Sequence, residues 1–177
     1  VASKAAGFAV ILRVFYLAFG SISLDWSALF AVLSAFSMTA GNLVAISQSN
    51  IKRMLAYSSI AHSGYVLIGI VAGTSRGWTA AIVYLVVYAF LQLGAFAIVT
   101  MLRRRDVVGD ELKDLSGLYA RSPVAAIAML VFMLSLGGIP PTAGFMGKIW
   151  IFGAAIDQGF IALAIIGVVN SAISLFY

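Results

Sequence analysis

Residues 134–150 read LSLGGIPPTAGFMGKIW, an apolar stretch interrupted by two glycines, two adjacent prolines and then a lysine. Between Pro123 and Ile156 the only charged residue is Lys148, and these 34 residues would form a helix about 50 Å long against a hydrocarbon core of about 30 Å. One straight helix does not fit. Pro140 and Pro141 remove two backbone donors and disfavour helix at Ile139, and Gly137 and Gly138 loosen the preceding turn, so a break is expected over Gly137–Pro141. Irregular backbone at membrane depth survives only where protein buries it or where it lines a wet cavity, and broken helices of this kind mark ion sites in transporters. The alternative is a helix that ends at Gly147 with Lys148 at the interface. That leaves Ile149 to Ile156 without a span unless Asp157 also enters the membrane.

The rest of the chain is just as apolar. Of 177 residues, 63% are hydrophobic and 10% charged, which no ordinary soluble domain approaches. The expected architecture is an all-α integral membrane protein of about six transmembrane helices, one of them discontinuous. Residues 1–19 read as the end of one helix, and 27–47, 54–72, 77–102, the broken 123–156 and 158–177 as further helices, each near or above the roughly 20 residues that cross a bilayer. The whole is one membrane domain. The chain opens at Val1 without a basic leader and ends in an apolar run, and it reads as an internal part of a longer protein.

The connections carry the orientation. Seven basic residues, Lys52, Arg53, Arg103, Arg104, Arg105, Lys113 and Arg121, fall in loops 48–53 and 103–122, whereas the loops between them in the alternation hold only Arg76. By the positive-inside bias, 48–53 and 103–122 lie on the cytoplasmic side. A short surface helix is expected over Asp110–Leu118, followed by Pro123 as the first residue of the next helix. Trp26, Trp78, Tyr119 and Trp150 sit near span ends, as interfacial anchors do.

Charge and composition also exclude. A net charge of +5 confined to membrane loops does not describe a nucleic-acid surface, and no nucleic-acid partner is expected. With no cysteine, one histidine and no acidic cluster in the spans, no metal or redox cofactor is expected in this chain.

The informative residues are therefore polar groups inside spans. Lys4 precedes AAGFAVIL and reads two ways: a lysine held inside the first helix facing a polar interior, which costs about 2.5–3.5 kcal/mol at mid-membrane, or one that snorkels to the surface. His62, in SSIAHSGY, is either a hydrogen-bonded packing residue or a proton carrier near neutral pH. Arg13 is near a helix end and snorkels. Asn42, Gln92 and Asn170 can bond between helices, and Gly69 with Gly73 fits a small-xxx-small contact.

Two stretches, SQSNIKRMLAYSSIAHSGY (47–65) and LSLGGIPPTAGFMGK (134–148), resemble the antiporter-like membrane subunits of respiratory complex I, the proton-pumping NADH:quinone oxidoreductase, and most of all the subunit N (subunit 2) branch. The resemblance extends along essentially the whole chain. It implies helices eight to thirteen of about fourteen, the second of two inverted five-helix repeats, with the twelfth helix discontinuous. It also implies that Lys4 matches the central lysine of the eighth helix and Lys148 the lysine of the broken twelfth. In the related chain M a glutamate stands at the position of Lys148; chain L has a histidine at Lys4 and another where this sequence has Gln92. Two lysines therefore favour the N branch.

What the resemblance implies about function is proton translocation coupled to electron transfer from NADH to quinone, through a relay of Lys4 and Lys148 assisted by His62 and nearby tyrosines. Burial disfavours a lysine's charged form, so lysines linked by hydrogen bonds can pass protons along. NADH, FMN, iron–sulfur clusters and quinone would be bound by other subunits of the same enzyme. The partners would be the lipid bilayer and neighbouring membrane subunits, the chain M and chain K-like proteins, in an energy-transducing membrane such as the bacterial inner membrane. Three other readings share these features: a subunit of a multi-subunit cation/proton antiporter, a ferredoxin-dependent photosynthetic relative, and a purely structural membrane subunit.

Overall fold

The computed structural model describes residues 2–17, 23–104 and 109–177; the expected helix end at Phe19, the start of the loop at Gly20 and Arg105 lie outside the described residues. The architecture is all-helical: α1 (Ala2–Leu17), α2 (Ser23–Ile46), α3 (Ile51–Val71), α4 (Ser75–Arg104), a single turn α5 (Leu118–Arg121), α6 (Pro123–Gly137), α7 (Ala143–Asp157) and α8 (Ile161–Ile173). Three of these, Trp26–Ile46, Ile51–Val71 and Ser75–Arg104, are each long and apolar enough to cross a membrane.

The helices run past the uncharged stretches that announce them. Asn50 accepts from the backbone N–H groups of Lys52 and Arg53 and so starts α3 at Ile51, placing both basic residues in its first turn. At 30 residues, α4 is about 45 Å long and carries Arg103 and Arg104 out beyond the hydrocarbon. The last span is shorter than expected. Ser174–Tyr177 leave the helix, and the Tyr177 hydroxyl turns back to donate to Asn42 on α2 at 2.8 Å.

α3 is the central element. It packs against α2, α4 and α7, and most of its side chains are buried, whereas α2 and α4 expose Phe36 and Phe90 on faces suited to lipid. Small residues set these distances. A Cβ added at Gly41 would meet the Ala61 backbone nitrogen of α3 at 2.6 Å, and one at Gly64 would meet Ser34 of α2 at 2.8 Å, so the two backbones touch only because both residues are glycine. The expected pairing of Gly69 with Gly73 is corrected. Gly73 is the turn residue after α3, at φ +63°, and Gly69 instead faces the Gly77 carbonyl of α4.

The basic loops meet at one end. An isolated bridge joins Asn50 to Glu111, with Ile51 N–H donating to Asp110 O at 3.0 Å and Leu112 N–H to Ser49 O at 2.8 Å. Asp110 accepts ion pairs from Lys52 at 2.6 Å and Arg103 at 3.3 Å. The expected surface helix over Asp110–Leu118 does not form: Glu111 is extended in this bridge, only a 3₁₀ turn follows at Leu112–Leu115, it ends at Ser116, and Gly117 at φ +70° leads into the single turn α5. At the opposite end, Arg76 pairs with Asp157, which closes the turn before α4 onto the end of α7.

The clasp makes a prediction. The hydrogen bond from Lys52, with the charge of Arg103, holds the Asp110 carboxyl below its ordinary range. Its contribution is present above the ordinary carboxylate range and lost as pH falls through the lowered value. Protection of 109–116 against hydrogen exchange, measured relative to the intrinsic rate at each pH, should therefore fall on acidification below pH ~4, and Asp110→Asn should show the reduced protection already at neutral pH.

Trp26 and Trp78 are not lipid-facing anchors. They are 7% and 8% exposed, and their rings, 6.4 Å apart, join Phe15 and Phe30 in an aromatic cluster where α1, α2 and α4 meet. Two aromatic residues brought together by separate helix ends bury more area against each other than either does alone at an interface. Tyr119 and Trp150 are exposed.

Candidate functional site: the helix break and its lysine

The interruption between α6 and α7 spans 138–142, and its two halves cross the membrane once between them. α6 begins beside the basic clasp and α7 ends at the Asp157 pair on the other side. Pro123 takes the first position of α6, where its missing donor costs nothing.

A helix ends with four carbonyls that have no partner inside it, and burying them without donors is costly. In α6 all four are accounted for. Gly138, at φ +85°, donates to Leu134 and Ser135, and Ile139 also donates to Leu134. The remaining two carbonyls, Leu136 at 3.1 Å and Gly137 at 2.8 Å, accept from Nζ of Lys148. Pro140 and Pro141, joined by a cis peptide bond, have no N–H to offer them. The broken helix thus makes an acceptor site, and the lysine ten residues beyond the break point fills it.

Lys148 is 3% exposed, and its third acceptor is Ser171 Oγ of α8 at 2.9 Å. Nζ also stands 4.8 Å from the centre of the Tyr65 ring. Among the described residues it forms no ion pair; the four ion pairs all lie in the loops or at helix ends. Its counter-charge is dipolar, from the carbonyl end of α6, where the helix macrodipole is negative.

The approach of α7 to α6 again depends on glycine. Gly144 N–H donates to Ser135 Oγ at 3.1 Å, and an added Cβ there would overlap the Ser135 carbonyl. Gly147 leaves room for Tyr84 of α4.

Lys4 reaches sideways into the bundle. Its Nζ donates to Ser59 O at 2.8 Å and Ser59 Oγ at 2.7 Å, eight residues along α3 and so about 12 Å in from Ile51. The inward of its two readings is the one the geometry shows, with the side chain half-buried. His62, 3% exposed, lies on the same helix one turn beyond Ser59. Its Nδ1 shares a hydrogen bond of 2.7 Å with the Tyr84 hydroxyl, and its ring stacks on Tyr88 at 4.9 Å between centroids. Tyr65 stands edge-on to both His62 and Tyr84. The three residues singled out from sequence, Lys4, His62 and Lys148, therefore border one cluster, with Ser59 at one end, Ser171 at the other and three tyrosines between.

A cavity of about 160 Å³ runs from Ser58 and His62 to Gly137, Ser174 and Tyr177. That is room for several waters, since a single one needs about 10–15 Å³. Around it, Asn42 donates to Asn170 O at 2.9 Å and Oδ1 at 3.0 Å, tying α2 to α8, and Gln92 donates to Leu55 O at 3.0 Å, tying α4 to α3. Ser59, Ser135 and Ser171 were not legible as site residues. Ser171 had a signal, since Asn170–Ser171 is a polar pair inside an apolar helix, but its direction depends on how α8 is rotated.

This is a membrane protein of the antiporter-like type, defined by a helix broken at mid-membrane with a buried lysine capping the break. The chain belongs to the membrane family described as NADH:quinone oxidoreductase/Mrp antiporter, which matches residues 1–174. It is 51% identical over 177 residues to NADH-quinone oxidoreductase subunit N 1 of Herpetosiphon aurantiacus and 48% identical over 174 residues to subunit N of Trichlorobacter lovleyi, covering 100% and 98% of this chain and 36% of each relative. It is 45% identical over 177 residues to NAD(P)H-quinone oxidoreductase subunit 2 of Synechocystis, again over 100% of this chain and 34% of the relative. The chain thus spans about a third of the length of the curated relatives it matches. Among solved structures it superposes on a chain of respiratory complex I from Thermus thermophilus with a TM-score of 0.74 at 38% identity, covering 85% of this chain and 34% of that one. It also superposes on a chain of the Mrp complex from Dietzia with a TM-score of 0.85 at 28% identity, covering 94% and 31%.

Proposed function

We propose that this chain is part of the proton-translocating membrane subunit N of an NADH:quinone oxidoreductase, and that Lys4, His62 and Lys148 carry protons through it. The observation that carries the reading is Lys148, a cation buried beside a helix break with only neutral acceptors. Burial opposes its charge and the carbonyl cradle supports it, so small changes nearby decide whether the proton stays. The tyrosine–histidine cluster supplies hydrogen-bonding groups between Lys148 and Lys4, and the cavity gives water access to His62 and the Gly137 end of α6. Electron transfer takes place elsewhere: NADH, FMN, iron–sulfur clusters and quinone belong to other subunits of the complex. This chain's partners are the adjoining membrane subunits, chain M and a chain K-like protein, and the lipid of a bacterial inner membrane, with the 48–53 and 103–122 loops in the cytoplasm.

A second reading, a subunit of a multi-subunit cation/proton antiporter, draws support from the high TM-score to the Mrp chain. Sequence identity favours the first, at 45–51% to quinone oxidoreductase subunits against 28% to that chain.

The test is Lys4→Met in the complete subunit, assembled in its complex and reconstituted in vesicles. Proton uptake driven by NADH oxidation should fall by about tenfold or more, as for loss of a positioned proton-transfer group, with assembly unchanged. Undiminished NADH-driven pumping sinks the relay. Sodium-dependent proton exchange without NADH-driven pumping in the parent favours the second reading.

A further inference from the structure

The cradle of Lys148 is asymmetric in what it can bond. The carbonyls of Leu136 and Gly137 and the face of Tyr65 can take N–H groups from the side chain but can offer nothing to the lone pair of a neutral amine, because a carbonyl oxygen and a ring face accept and never donate. Ser171 is different. Its hydroxyl accepts from Lys148 Nζ at 2.9 Å while donating to Gly137 O at 3.2 Å. A hydroxyl rotates, so the same oxygen that accepts from an ammonium can turn its hydrogen to a neutral amine.

We propose that Ser171 is a positioning residue for Lys148, a hydroxyl that accepts from the ammonium and donates to the lone pair of the neutral amine. The inference rests on the reading that Lys148 carries protons. When Nζ releases its proton to the adjoining hydrogen-bonded path, the amine acquires a lone pair that no carbonyl can satisfy. Ser171 then swings its hydrogen from Gly137 O to Nζ, and the amine stays where the next proton will arrive. On reprotonation the hydroxyl returns to Gly137. α8 thereby takes part in the site although it carries no charged residue.

The position of Ser171 suits this role. α8 is held to α2 by the Asn42–Asn170 bonds next to it, so the hydroxyl is carried on a fixed element. Ser174, one turn on, donates to Ser171 O at 2.7 Å, which fixes the backbone and leaves Oγ free to rotate.

The experiment compares Ser171→Ala, Ser171→Thr and Lys148→Ala in the full complex, reading assembly, NADH-driven proton uptake and its pH profile in vesicles. Ser171→Ala should assemble normally, pump about fivefold more slowly, the factor that one ordinary hydrogen bond is worth, and show a displaced pH profile. Ser171→Thr, which keeps the hydroxyl, should restore both rate and profile. A parental rate and profile in Ser171→Ala, or a Ser171→Thr variant as impaired as Ser171→Ala, overturns the proposal. Normal pumping by Lys148→Ala has a different meaning: Lys148 is then no proton carrier, and the underlying reading fails first.

Discussion

Lys148→Arg should pump as poorly as Lys148→Met, with NADH-driven proton uptake down by about tenfold or more in both, when each is built into the complete subunit and assembled in its complex. The two substitutions separate what the lysine holds from what it transfers. Arginine keeps the positive charge and has donors for the Leu136 and Gly137 carbonyls, but its guanidinium does not lose a proton in a protein. Methionine keeps the length of the stem, cannot donate, and leaves those two carbonyls for water from the neighbouring cavity. A lysine that only ties α7 to the end of α6 predicts that arginine works and methionine fails. A lysine that carries protons predicts that both fail. Proton uptake in vesicles, normalised to assembled complex, decides it, and a pumping arginine variant removes Lys148 from the relay.

Gly144→Ala should be the most damaging single methyl group in the break. The added Cβ overlaps the Ser135 backbone carbonyl and comes within 3.2 Å of Ser135 Oγ, so neither half-helix can yield by turning a side chain. Forcing a methyl into packed backbone costs about 1–3 kcal/mol and sometimes more, and a backbone obstacle puts this site at the upper end. The functional cost is larger still, because Lys148 lies one turn beyond Gly144 on the same helix. Pushing α7 away carries Nζ off its carbonyls. Thermal unfolding of the detergent-solubilised complex should begin several degrees lower, with proton uptake impaired even where assembly survives. Parental stability and pumping together would mean that α6 and α7 are not locked at this contact. Gly138→Ala adds a related strain, since its φ of +85° disfavours any side chain and its Cβ would stand 3.1 Å from Lys148 Nζ.

Much of the fold was legible in the order of residues because membranes make simple demands. A span needs about 20 apolar residues, loops must carry the charge, and two prolines after two glycines cannot continue a helix. From these follow the helical class, the location of the break and the grouping of the basic loops. Where reading by position alone misjudged, a contact between distant segments was responsible. Trp26 and Trp78 looked like interface anchors until two helix ends brought their rings together. Asp110–Leu118 looked like a helix until the bridge to Asn50 extended its start.

The same division runs through the site. The sequence alone, read by length and backbone chemistry, marked Lys148 as a charge beside a break and left Lys4 and His62 with two readings each. Only the tertiary structure decided which acceptors Lys148 meets: the last two carbonyls of α6 and a serine 23 residues further on. It also turned Lys4 inward to Ser59 and joined His62 to Tyr84. The physical reason is that helix formation and span length are set by local backbone hydrogen bonds and by transfer into lipid, both of which depend on neighbouring residues. The direction a polar side chain takes depends on how helices rotate against one another, and here that rotation is governed by close contacts at Gly41, Gly64, Gly69 and Gly144, which the order of residues does not pair in advance.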